Sequence, residues 1–174
     1  MSPTDDTTAS LLMRIAVLEA ERAVRRTLTR YMALCDVPAG GIDGATLGSL
    51  FTDDAIWQGI GPLYAGKFGY LQGREAILAM LTRYLPPTPH FVVNTHFLTS
   101  ETIDVDAHAS AAKGRWIMLQ ASGYVDDHAE LIAARLEVDF VPSPAGAAWL
   151  IRRFRTQRLF DAPWQVHPSP TDNP

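Results

Sequence analysis

From Leu11 to Cys35 the chain contains neither Pro nor Gly, and beyond Pro86-Pro87 its apolar period changes to two. A helix repeats about every 3.6 residues and a half-buried strand every second residue, so the chain must pair a long helix with long strands. Ala, Leu, Arg and Glu dominate the first segment and favour helix. Val24, Leu28, Tyr31, Met32 and Cys35 form one apolar stripe along it. Thr8 or Ser10 is the expected N-cap, with residues 1–9 a disordered lead-in, and Pro38-Ala39-Gly40-Gly41 ends the helix. A short second helix is expected over 43–51, and a strand opens at Ala55-Ile56-Trp57. Residues 59–73 form a Gly- and aromatic-rich excursion, and a third helix spans 74–85, stopped by Pro86-Pro87.

Four strands follow, over about 90–104, 110–122, 129–141 and 148–160, with turns at Asp106-Ala107-His108, Asp126-Asp127-His128 and Pro142 to Gly146. Helices first and a strand meander afterwards imply an α+β arrangement, a curved antiparallel sheet wrapping the helices into a cone with a pocket at its open end. The 174 residues suffice for one domain, expected over 10–162, with a Pro-rich tail over 163–174.

Composition narrows the partners. The formal charge is −4, and Arg152, Arg153, Arg155 and Arg158 would be split between two faces of a strand, so nucleic acid is not expected. Cys35 is the only cysteine, which excludes an intrachain disulfide and a Cys-based metal site. The polar, acidic start is unlike a signal peptide, and no apolar run reaches the roughly 18 residues of a membrane span. Cytoplasm is the expected location.

The chemistry lies in residues far apart in sequence. Asp36 follows the first helix, Tyr31 flanks the same stripe about 140° away around the axis, and His96 sits in the first long strand. Imidazole is the natural base near neutral pH, and a carboxylate on its other nitrogen would fix the tautomer. A phenol could assist a leaving group or steady an oxyanion. These are the parts of an acid–base site that needs no cofactor, if folding joins them. The plainer alternatives are a satisfied strand histidine, a helix-terminal turn aspartate and a core tyrosine.

His90 shares parity with His96, but no carboxylate lies at the spacing a metal would need, so no metal is expected. Trp57, Tyr64, Trp116 and Met118 are candidates for holding an apolar substrate; core or subunit interface is the alternative. Arg153, in phase with Trp149 and Ile151, is a candidate to reach inward and bind an anionic group.

Several strings, taken in order, resemble the SnoaL-like branch of the NTF2-like superfamily. They are Leu18-Glu19 through Arg30-Tyr31 with Asp36, Leu50-Phe51-Thr52-Asp53-Asp54-Ala55-Ile56-Trp57, Gly73-Arg74-Glu75-Ala76-Ile77, His96-Phe97 ahead of Ile103-Asp104-Val105-Asp106, and Trp149 with Ile151. The branch includes scytalone dehydratase, bile-acid dehydratase and hexachlorocyclohexane dehydrochlorinase. The resemblance implies that His96 is a general base and Asp36 its orienter, with Tyr31, at a matching position, the candidate acid or oxyanion donor. It implies a cofactor-independent lyase, foremost a dehydratase, in a dimer or trimer, acting on a hydrophobic molecule, with aromatic and polycyclic compounds among the candidates. Dehydrohalogenation, deformylating C–C cleavage and isomerisation share the same opening step, and the fold also serves as a non-catalytic binding or assembly module. Three departures are visible: Lys113 to Ser122 holds no second histidine, Ser100 stands where many relatives carry asparagine, and the Gly59 to Gly73 excursion is longer than in the compact members.

Overall fold

The computed structural model describes residues 3–39, 46–146 and 148–164. Helix α1 runs Pro3–Cys35, so the part of the expected lead-in that is described is helical. Pro3 is compatible with a first helical turn, where its missing N–H costs nothing. Burial starts only at Ala20 and continues through Val24, Thr27, Leu28, Tyr31 and Met32. The helix thus has an exposed N-terminal half and a buried C-terminal half.

Strand β1 (Phe51–Ile60) follows a single 3-10 turn over Leu47–Leu50, where a short helix was expected; residues 43–45 of that expectation lie outside the described residues. The 59–73 excursion folds into helix α2 (Gly61–Phe68), with Pro in its first turn, and a three-residue strand β2 (Tyr70–Gln72). Helix α3 (Arg74–Leu81) ends in a 3-10 turn over Thr82–Tyr84. The four long strands are β3 (Phe91–Val105), β4 (Ala112–Tyr124), β5 (Ala129–Pro142) and β6 (Trp149–Pro163). Of the expected tail, residues 165–174 lie outside the described residues.

The six strands form one sheet in the order β2-β1-β6-β5-β4-β3. Only β1 and β6 run parallel; the other neighbours are antiparallel. The concave face holds the core, built from Val24, Leu28, Phe51, Ile77, Trp116, Leu136, Val138, Phe140, Ile151 and Phe154. Among the described residues no helix is long and apolar enough to cross a membrane.

Two irregularities re-aim side chains. On β6 the register passes from Phe140↔Ile151 to Asp139↔Arg153, which inserts one extra residue. The inward set therefore changes phase, from Trp149 and Ile151 to Phe154 and Thr156, and Arg152 and Arg153 both face solvent. On β3 the register slips between Thr99 and Thr102, and Ser100 takes φ +52. That left-handed value suits asparagine better than serine, which gives the noted departure a physical meaning. Beyond the slip, Glu101 accepts from Trp116 Nε1 at 3.0 Å and from Arg25 of α1 at 2.7 and 2.8 Å. Trp116 in turn lies over Gly114, where a Cβ would stand 2.0 Å from its ring.

Candidate active site

The C-terminal end of α1 is stitched to β3 by backbone. Val37 and Asn94 form an isolated antiparallel bridge, each N–H donating to the other's carbonyl at 2.9 Å. Asn94 Nδ2 also donates to the Cys35 carbonyl, one of the orphan acceptors a helix leaves at its end, at 3.1 Å. The residue between these two anchors is Asp36. Its Oδ1 accepts the backbone N–H of His96 at 3.0 Å and lies 2.7 Å from His96 Nδ1.

A carboxylate only accepts, so Nδ1 carries the hydrogen and the lone pair sits on Nε2. Nε2 has no protein partner among the described residues. The two side chains are 9% and 22% exposed, so the pair is sheltered from bulk water.

His96, Asn94 and Leu98 share the inward face of β3 and pair with Gln120, Ser122 and Met118 of β4. Asn94 Oδ1 accepts from Gln120 Nε2 and Ser122 Oγ, both at 2.8 Å. This buried amide fixes its own orientation, because its donor is taken by Cys35 and its acceptor by β4.

Next to the pair lies a cavity of about 130 Å³. His96, Asn94 and Gln120 form one wall, and Tyr31, Met32 and Cys35 of α1 another. Trp57 and Phe154 stack at 5.7 Å, closing the side towards β1 and β6. Met118, Ile132 and Leu136 pave the sheet, while Tyr64, Lys67 and Phe68 of α2 stand with Tyr84, His90 and Tyr124 around the remainder.

Trp57 Nε1 donates to Tyr31 Oη at 3.4 Å. Burial, with Cys35 adding to it, raises the Tyr31 phenol well above its ordinary value, so it stays protonated at any working pH. Burial likewise pushes the Cys35 thiol up to about 12, which makes it a neutral wall group.

The structure gathers most of the expected residues. His96, Tyr31, Trp57, Tyr64 and Met118 line one cavity, with Asp36 directly behind His96. Two expectations fail. Trp116 is sealed in the core at 2% exposure with its N–H spent on Glu101, and it does not line the cavity. Arg153 is exposed on the outer face because the β6 bulge reverses the parity on which its inward reach depended. The buried amide of Asn94, and Lys67, were not singled out as site residues. Asn94 had a usable signal, since it precedes His96 by two on a strand.

Residues 16–155 match the SnoaL-like domain family. The chain belongs to that family. Its fold is shared with a hexachlorocyclohexane dehydrochlorinase of type 2, at TM-score 0.72 and 19% identity over 92% of this chain and 99% of the other. A candidate scytalone dehydratase from Novosphingobium aromaticivorans superposes at TM-score 0.70 and 18% identity, covering 92% and 99%. An NTF2-like protein with a cystatin-like fold from the same organism gives TM-score 0.64 and 22% identity, covering 87% and 89%. No curated protein sequence matches the chain. These SnoaL-like and NTF2-like relatives include lyase-type enzymes, and the family also has non-catalytic members.

Proposed function

We propose that this SnoaL-like protein is a cofactor-independent lyase that acts on a small hydrophobic molecule, with dehydration as its leading reaction. The observation that carries the reading is the 2.7 Å contact between His96 Nδ1 and Asp36 Oδ1 beside an apolar cavity. His96 Nε2 takes a proton from a carbon next to an activating group. The released electron pair forms the new double bond, and the leaving group departs with a hydrogen bond from the Tyr31 hydroxyl; the proton on His96 then passes to the departing hydroxide, which restores the imidazole. Asp36 holds the tautomer and stabilises the imidazolium while it lasts. Burial holds the Tyr31 phenol well above its ordinary value, so it serves as a hydrogen-bond donor that keeps its proton. Dehydrohalogenation, deformylating C–C cleavage and double-bond isomerisation start from the same proton abstraction.

The test separates proton abstraction from the identity of the leaving group. Hexachlorocyclohexane, named in one relative, and scytalone, named in another, are incubated with the protein in heavy water and followed by mass spectrometry. Elimination product or deuterium incorporated at carbon, lost in His96→Ala, is the expected result. Incorporation that persists in His96→Ala removes the proposed base.

A homo-oligomer, dimer or trimer, is part of the proposal. The outer face of the sheet carries an apolar row in register, Phe97↔Leu119↔Ala133↔Phe160, one residue on each of four strands. Phe97 and Phe160 are 54% and 58% exposed, which favours burial against a second copy. Sedimentation of the wild type and of Phe97→Lys/Phe160→Lys tests it; a monomeric wild type would refute it.

A further inference from the structure

The cavity lining holds a second polar pair, which the chemistry at His96 leaves unused. Tyr64 and Lys67 stand three residues apart on α2, one turn from each other on the same face, and both line the cavity. Tyr64 is 6% exposed, yet its hydroxyl bonds to no protein group among the described residues. Lys67 is exposed, lies 5.3 Å over the Phe68 ring and forms no ion pair among the described residues, although its charge helps hold Glu130 below its ordinary value.

The carboxylates on the adjoining strands are already engaged. Glu130 accepts the Tyr124 hydroxyl at 2.6 Å and Arg158 at 2.8 Å, and Asp161 lies 3.2 Å from Arg158 Nε. Neither carboxylate lines the cavity, whereas Lys67 does. His90, boxed by Tyr84, Phe91 and Tyr124, is held below its ordinary value by burial first and by the Lys67 charge second. It therefore adds a neutral ring, not a second charge, at neutral pH. A buried phenol without a protein hydrogen bond and an exposed ammonium bordering the same apolar chamber suit an anionic oxygen acceptor.

We propose that Tyr64 and Lys67 form a carboxylate-binding subsite, so that the substrate is a small apolar acid held by its carboxylate at α2 with its reacting carbon towards His96. Met118, Ile132 and Leu136, which line the same cavity, take the hydrocarbon body. A cavity of about 130 Å³ is close to the roughly 150 Å³ that holds a benzene ring, so the body is about one ring in size. The subsite takes over the anion-binding part that the sequence suggested for Arg153. This inference rests on the lyase reading only for what happens at His96; the acid preference itself is a matter of binding.

Titration calorimetry on the full chain, at low salt, compares hydrocinnamate with its uncharged amide. The wild type should bind the acid roughly tenfold more tightly than the amide. Lys67→Met should bring the two affinities together by weakening the acid alone, and Lys67→Glu should invert their order. Tyr64→Phe should lose part of the preference, and His96→Ala should keep it. Equal affinities in the wild type, a preference that survives Lys67→Met, or no detectable binding of benzoate, phenylacetate or hydrocinnamate would each overturn the subsite. A preference lost in His96→Ala would do so too, since the acid would then sit on the imidazole. A His96→Ala variant that still turned over substrate would refute the lyase reading and leave these affinities untouched.

Discussion

Helix α1 is fastened to β3 by a carboxylate at two places, and the two fastenings differ in kind. Nearer the middle, Glu101 of the strand accepts from Arg25 and Trp116, donors that never give up their protons at working pH. At the helix end, Asp36 accepts from an imidazole whose second nitrogen is left to the cavity. The first arrangement is closed: both donors are spent within the protein. The second is open by one nitrogen, and that difference separates a structural clamp from a site able to move a proton.

Substitutions should split along that line. The largest effect is expected from His96→Ala, which removes the proposed base and should lower turnover about 100- to 10,000-fold while the thermal midpoint changes little. Asp36→Asn keeps the size of the side chain but offers the imidazole a donor and an acceptor in place of a pure acceptor. Turnover should fall roughly a hundredfold, more through kcat than through KM. Tyr31→Phe deletes the donor and should cost roughly tenfold, with a smaller loss on substrates whose leaving group needs no protonation. A halide-bearing substrate against a hydroxyl-bearing one measures that contrast. If Tyr31→Phe slows both alike, the phenol acts on something other than the leaving group.

Glu101→Ala belongs to the other class and should leave kcat of the folded protein unchanged. The ion pair with Arg25 is exposed and contributes little, but the Trp116 N–H is left without its partner, so a loss on the order of 1 kcal/mol is expected from urea midpoints. Its pH dependence has a definite sign. Burial acts to raise the Glu101 pKa, the bonds from Arg25 and Trp116 outweigh it, and the net shift is downward from 4.5. A depressed carboxyl contributes stability in full above its unfolded value and loses it as pH falls through the folded one. The stability gap between wild type and Glu101→Ala should therefore be flat above about pH 4.5 and close below it. A gap that widened in acid would contradict the assignment.

The legibility of the sequence follows the same physics. Long periodic elements were readable, because α1 and the four long strands each bury a face whose spacing shows in the residues. Asp36, Tyr31 and His96 could be chosen because residue type, position at an element's end and a family resemblance agreed. Arg153 and Trp116 were misread for separate reasons. An extra residue on β6 reverses parity without any Gly or Pro to announce it. Trp116 does share the inward face with Met118, but parity names the face and not the depth along the cone, and two residues separate cavity wall from sealed core. The helix hidden in the 59–73 excursion was masked by its glycines, and with it went the signal for Lys67.

The Val37–Asn94 bridge has one further implication. Because the main-chain pairing and the Asn94 amide set where the Asp36 carboxylate and the imidazole meet, their spacing does not depend on the methionines and aromatics that pave the chamber. The interior could be recarved for a differently shaped molecule, by exchanging methionines and aromatics, with Asp36 and His96 staying where they are.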